Sequence, residues 1–231
     1  VNGSYIINRL YGGGNGAGAG SPGADVVGKA ITKLNGGYIN AVYGGSNTKG
    51  DIGGGTDVQT KKQNETVPTG CCPKLIIGNL YGAGSHADVD GDVNIILECM
   101  PEDYVAAVYG GAEEATIKGN VKLTVTSGKF GRVFGGNNLG GSINSSITVY
   151  VKEEGCKDLE IGELFGAGNQ APYSKYGCYL DNTDNKWKAY SGKSTANNNF
   201  EVTFDENEKY PYPVRVFVEA CTSIGRIFGG G

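Results

Sequence analysis

The sequence predicts an all-β chain: a single-stranded parallel β-helix, or β-solenoid, of about seven coils of 22–25 residues with loop insertions. Three observations predict it. A short motif returns seven times, period-2 alternation precedes it, and glycine sits at fixed places in the repeat.

The motif runs apolar, small, variable, aliphatic, aromatic, Gly, then Gly or Ala. It first reads Ile7-Asn8-Arg9-Leu10-Tyr11-Gly12-Gly13 and returns from Ile39, Ile77, Val105, Phe130, Ile161 and Ile224. Ala115–Gly136 is the most complete repeat and aligns without a gap over 22 residues with Ala24–Gly45. That alignment sets Val121, Leu123 and Val125 on Ala30, Thr32 and Leu34. Alternation of this kind marks a half-buried strand.

Inside the motif the two aliphatic residues stand three apart, which a flat strand places on opposite faces. The residue after the first aliphatic is Gly four times, Asn twice and Ala once. Gly and Asn enter the left-handed region cheaply, so this position is expected to bend the strand and shift its phase by one. Both aliphatics then turn inward, and Arg9, Asn79, Arg132, Glu163 and Arg226 turn to water. The Gly pair suits a corner or a close approach of backbones between repeats. Tyr11, Tyr43, Tyr81, Tyr109, Phe134, Phe165 and Phe228 are expected to form one ladder, with coils about 4.8 Å apart. A coil cannot bury its inner face alone, so stability comes from stacking.

In chain order, Val1–Gly13 reads as the end of a coil and Gly14–Gly23 as a Gly-rich connector. The connector lacks the Lys-Ser/Thr ending of a phosphate loop. Ala24–Gly45 is a coil. Ser46–Thr69 is an outward loop with one strand at Thr56–Thr60, and Cys72–Gly84 closes the second coil. Ala87–Gly111 repeats the pattern around an insertion at Glu98–Asp103. Gly140–Ala167 is another coil, with Ile147, Val149 and Val151 inward and Lys152-Glu153-Glu154 at a turn. Asn169–Asn199 is a long loop insertion: Phe165 to Phe228 spans 63 residues, against 25 to 38 between other aromatics of the ladder. Strands resume at Phe200–Phe204 and Val214–Val218.

Composition narrows the function classes. There are 41 glycines but only 7 prolines, and the glycines follow the repeat, which favours corners over a flexible chain. A net charge of −4 argues against nucleic acid as partner. No apolar run is long enough for a membrane span. Residues 1–231 read as one solenoid domain. The chain starts inside a repeat and stops just after a motif, so it is expected to be a piece of a longer, exported chain. Six cysteines in such a chain favour at least one disulfide, with connectivity unreadable. Cys72 and Cys156 hold equivalent positions roughly 14 Å apart by strand spacing, too far for a direct bond.

Three groups of residues suggest chemistry. Asp88, Asp90 and Asp92 alternate as at the start of a calcium loop, which makes calcium the one cofactor to consider. Against it, no later Glu stands at the right distance, and the three align with Thr116, Lys118 and Asn120 at an exposed corner. His86 is the only histidine, without a neighbouring nucleophile, so a Ser-His-Asp or Cys-His arrangement is not expected. The insertion carries Tyr173, Tyr176, Tyr179, Trp187 and Tyr190 among polar residues. Such aromatics stack on sugar rings or anchor a protein partner, or else fold back as a small private core.

The seven-fold motif resembles Gly-rich right-handed parallel β-helix repeats, and is similar to repetitive surface proteins of gut Bacteroidales. The resemblance covers nearly all of the chain outside Asn169–Asn199. It implies an extracellular or cell-surface, adhesin-like protein, with a host glycan or surface protein as partner. The expectation is therefore a non-enzymatic surface module, with a purely structural stalk beside it. The alternative is a carbohydrate-active β-helix enzyme of lyase or hydrolase type, but no carboxylate pair stands out as acid and base.

Overall fold

The computed structural model describes residues 6–16, 23–60, 74–100, 103–154, 158–171, 178–181, 183, 186–189, 214–219 and 223–230. Among them the chain is all-β, without a helix. Seven strands form one parallel sheet: β1 (Ile6–Tyr11), β3 (Gly37–Tyr43), β5 (Leu75–Tyr81), β7 (Tyr104–Tyr109), β9 (Gly128–Phe134), β11 (Leu159–Phe165) and β15 (Ser223–Phe228), in that order. Six form a second: β2 (Ala30–Leu34), β4 (Thr56–Thr60), β6 (Val93–Leu97), β8 (Val121–Val125), β10 (Ile147–Val151) and β14 (Val214–Val218). The chain therefore visits the two sheets alternately, and each visit adds one strand. A third row consists of single parallel bridges joining Val26, Ile52, Val89, Ile117 and Ile143 in turn. This is the strand order expected of a parallel β-solenoid.

The alternation read from the sequence is the alternation of burial. In β8, Val121, Leu123 and Val125 are buried, and Ala30, Thr32 and Leu34 are buried in β2. Equivalent residues pair in register, so Thr32, Val58, Ile95, Leu123, Val149 and Val216 form one column. Such columns from both sheets, together with Ile52, Val89, Ile117 and Ile143, make a single core. The inserted Glu98–Asp103 sends Met100 into that core, fully buried, with its N–H donating to Ser127 Oγ at 2.7 Å. Cys99 beside it is disulfide-bonded.

The phase shift within the motif is present, but its expected cause is not. Ile77 and Leu80, three apart, are both fully buried, as are Val133 and Leu164 with their partners Phe130 and Ile161 nearly so. Pairing skips the small residue in each repeat, passing from Ile39↔Ile77 to Ala41↔Asn79. However, Gly78, Gly131, Gly162 and Gly225 do not have left-handed φ angles. Positive φ falls instead on Gly37 (109°) and Gly128 (113°), which open β3 and β9. Gly131 and its equivalents answer a different need. A Cβ at Gly131 would lie 2.5 Å from the carbonyl oxygen of Ala106, one repeat back.

The first glycine of each pair is governed by the next repeat. A Cβ on Gly44, Gly82, Gly110 or Gly135 would run into the carbonyl oxygen of Gly82, Gly110, Gly135 or Gly166 respectively. The close backbone approach expected from the sequence is thus the reason for this column. The second position tolerates alanine, at Ala83 and Ala167.

All seven aromatics form one continuous stack from Tyr11 to Phe228. Ring centroids lie 4.6–5.1 Å apart and planes within 4–10° of parallel. No helix among the described residues is long and apolar enough to cross a membrane.

Candidate functional site

A polar concave region lies where the chain turns from the Gly pair toward the bridge residues. In-register bridges align the residue just before each one, so Asp25, Asp51 and Asp88 form a column continued by Thr116 and Ser142. Asp25 Oδ1 accepts the N–H of Asp51 at 3.1 Å, and Asp88 Oδ1 accepts the N–H of Thr116 at 2.8 Å. Burial, and then the charges of Asp88, Asp90 and Asp25, hold the Asp51 carboxyl above the usual carboxylate range, against Lys118. With Thr48, Lys49 and His86, the three acids line an open hollow of about 320 Å³.

The residues proposed for calcium do not converge. Asp88 turns to the backbone of Thr116. Asp90 pairs with Lys118 Nζ at 2.6 Å, which raises the lysine's pKa through that hydrogen bond and charge. Asp92 Oδ1 accepts Asn120 N–H at 2.7 Å and Asn120 Nδ2 at 3.3 Å. Each acid thus meets the residue that holds its own place in the next repeat. Among the described residues no three His, Cys, Asp or Glu side chains gather to hold an ion.

His86 does have a hydroxyl neighbour, contrary to the sequence reading. Ser85 Oγ lies 2.9 Å from His86 Nδ1 and 2.8 Å from Glu113 Oε2, which also accepts the Tyr43 hydroxyl at 2.9 Å. His86 Nε2 lies 3.5 Å from Glu114 Oε2. The signal was the dipeptide Ser85-His86 itself; the partners Glu113 and Tyr43, on other repeats, were not readable. The proton economy does not suit a nucleophile. Ser85 gives its one proton to Glu113, so His86 Nδ1 must donate to Ser85 Oγ rather than accept from it. The N–H groups of Ser85 and His86 are bonded to Ser46 O and Asn47 O, so neither is free to stabilise an oxyanion. The cluster ties together adjacent repeats. Burial and then Glu113 push the Tyr43 hydroxyl pKa well up.

A similar role falls to two buried asparagines that the sequence did not single out. Asn137 Oδ1 accepts Ala112 N–H at 2.8 Å, and its Nδ2 donates to Ala115 O and Gly140 O at 2.9 Å. Asn138 Nδ2 donates to the Tyr81 hydroxyl at 3.1 Å, a contact that opposes the strong upward effect of burial on that tyrosine's pKa.

The aromatic insertion contains an antiparallel hairpin, β12 (Cys178–Asp181) with β13 (Lys186–Ala189). Tyr179 stands opposite Lys188, and Trp187 opposite Leu180. Tyr173, Tyr176 and Tyr190 lie outside the described residues, as does the expected strand Phe200–Phe204. On the outer face of the six-stranded sheet, Tyr150 stacks on Phe217 at 4.8 Å with Lys122 Nζ 5.4 Å from the tyrosine ring centre. The two rings stack face to face, and Phe217, on the outermost described strand of its sheet, remains 40% exposed.

No protein-family model, curated protein or solved structure matches the chain.

Proposed function

We propose that the chain is a single-stranded parallel β-helix serving as a non-enzymatic cell-surface or extracellular module. In this reading it is an adhesin-like element or structural stalk similar to repetitive surface proteins of gut Bacteroidales. The observation that carries the reading is the alternation of the chain between two in-register parallel sheets, with a third row of bridges between them. Each turn of sequence adds one rung to all three rows, which makes a rigid rod whose length scales with repeat number. The polar clusters support the same reading, because their groups satisfy one another between rungs. The hairpin of β12 and β13 is the element offered to a host glycan or surface protein. A broad glycan array, probed with the full chain and with a variant lacking residues 169–199, tests it. Selective binding lost in the variant supports a glycan-reading module. Selective binding retained by the variant refutes the hairpin as the binding element, and absence of binding leaves a structural stalk.

A second reading, a carbohydrate-active enzyme, draws on Asp25, Asp51 and Asp88 around one hollow, with the Asp51 carboxyl pKa raised by burial and by its acidic neighbours. Turnover of acidic polysaccharides, lost in Asp51→Asn, is its test. No turnover across a polysaccharide panel removes it.

A further inference from the structure

The outer face of the six-stranded sheet carries a hollow that the repeat itself does not require. Inward columns are fixed by the core, whereas outward positions are free to differ from rung to rung. At β8 and β10 they differ in size. Thr124 stands in register with Tyr150. Lys152 N–H donates to Val125 O at 3.1 Å and Glu154 N–H to Thr126 O at 3.2 Å, so the same register sets Thr126 beside Lys152. Two short threonines next to two long side chains leave a hollow of about 250 Å³, with Lys122 at one end and Glu154 and Glu219 at the other.

Part of its polar lining is unused. Lys152 Nζ lies 2.8 Å from Glu154 Oε1 and 3.7 Å from Glu219 Oε2, which leaves both carboxylates with further acceptor capacity. Lys122 Nζ lies 5.4 Å from the centre of the Tyr150 ring, a contact that places the cation without neutralising it. Among the described residues Lys122 meets no carboxylate, and neither does Arg215, in line with it through Thr148. The hydroxyls of Thr124 and Tyr150 likewise have no partner among the described residues.

We propose that this hollow binds one unit of an acidic saccharide, with its anionic group on Lys122 and its hydroxyls on Thr124, Tyr150 and the two glutamates. An unpaired ammonium calls for an anion. Hydroxyls and carboxylates gathered in one hollow both donate and accept, as a polyol requires. The glutamates repel a densely charged strand such as nucleic acid, so the anions must be spaced by neutral, hydroxyl-bearing units. The hollow is smaller than the roughly 300–1,000 Å³ of pockets that enclose a whole ligand, as suits a single ring of a chain lying along the sheet. The proposal does not rest on the hairpin of β12 and β13 as a glycan element.

Isothermal titration calorimetry of the full chain with trigalacturonate, sulfated maltotriose and neutral maltotriose tests it. Lys122→Gln keeps most of the side-chain length, removes the charge and breaks no ion pair, so its melting temperature stays at the wild-type value. Thr124→Val keeps the branched shape at an outward position and removes the hydroxyl. The expected result is binding of an anionic trisaccharide and not of maltotriose, weakened roughly ten-fold or more in Lys122→Gln and roughly three-fold or more in Thr124→Val. Preference between trigalacturonate and sulfated maltotriose tells a carboxylate from a sulfate as the anion. Binding of neither, equal binding of maltotriose, or full-strength binding by Lys122→Gln overturns the proposal. Should Thr124→Val melt early, Lys122→Gln decides alone. Trp187→Ala, in the hairpin, should leave this binding unchanged; loss there with retention in Lys122→Gln gives the saccharide to the hairpin and overturns the proposal.

Discussion

Gly135→Ala is the sharpest test of how the repeats hold together. The added Cβ runs into the carbonyl oxygen of Gly166 and lies 2.8 Å from Cγ2 of both Ile147 and Val149. Carbon atoms normally approach to about 3.5–4.0 Å, and both side chains are fully buried, so neither can retreat into solvent. The backbone cannot slide away either, since Gly135 N–H is bonded to Phe165 O at 2.9 Å and Gly110 N–H to Phe134 O at 2.8 Å. Overpacking of this kind costs about 1–3 kcal/mol, and a stretched ladder hydrogen bond adds about 1 kcal/mol. The reduced freedom of the unfolded chain returns about 0.4–1 kcal/mol. The net expectation is a loss of about 2–3 kcal/mol, or roughly 5–10 °C in melting temperature for a chain of this size. Gly229→Ala makes the same chemical change at the same motif position without a neighbour, and should melt at or slightly above the wild type. Repeat arrays depart from two-state unfolding, so the comparison is of circular-dichroism melting midpoints at one scan rate. Equal midpoints for the two variants would refute the claim that the next repeat dictates the glycine.

The aromatic stack makes a parallel prediction. Phe134→Leu loses stacking on both faces, against Tyr109 and Phe165, while Phe228→Leu loses it on one. At about 0.5–1.5 kcal/mol per ring pair the interior change should cost roughly twice the terminal one, and equal urea midpoints would contradict this. Alkaline stability follows from the buried tyrosines. The folded pKa values of Tyr43 and Tyr81 are raised, so the native state keeps protons that the unfolded chain releases near its ordinary value of 10.0. Stability is then intact below about pH 10 and falls as pH rises above it. Replacing both tyrosines by phenylalanine should flatten that fall, and an unchanged slope in chemical denaturation above pH 10 would refute the assignment.

Much of the fold was legible because a repeat reports the same physics several times. Inward columns and the aromatic ladder follow from residue types that recur at one position, and the structure sets those residues in register. The reason for a glycine was less legible. At Gly131 the sequence suggested an unusual φ, and the position of Ala106 O shows that crowding of a Cβ is the reason instead. The polar clusters were harder still. Glu113 joins Tyr43 and Ser85, 70 and 28 residues away in the chain, and no local pattern signals such a meeting. Asp88, Asp90 and Asp92 were correctly aligned with Thr116, Lys118 and Asn120. The alignment then explained them better than the calcium motif did, since aligned residues in a stack are neighbours.

That same stacking rule explains where the chain varies in length. Between the six-stranded and seven-stranded sheets, β2 joins β3 through Asn35-Gly36 and β8 joins β9 through Thr126-Ser127, and in both cases the next residue is a glycine at positive φ. At this corner β4, β6 and β10 are followed by longer connections, and the glycine's place in the register is held by Leu75 before β5 continues and by Leu159 in β11. The tight corner puts its glycine in left-handed backbone, whereas in longer connections the left-handed residue is Cys99 (54°) or Asp158 (60°), and Leu75 and Leu159 add to the core. Strand register on either side is fixed by the columns, so the corner absorbs insertions without disturbing the rungs. The Gly-pair corner has no such freedom, because its glycines lie against carbonyls of the next rung. Variation is thereby concentrated at one edge of the stack, the exceptions being the connector between Gly13 and Val26 and the long insertion after Ala167.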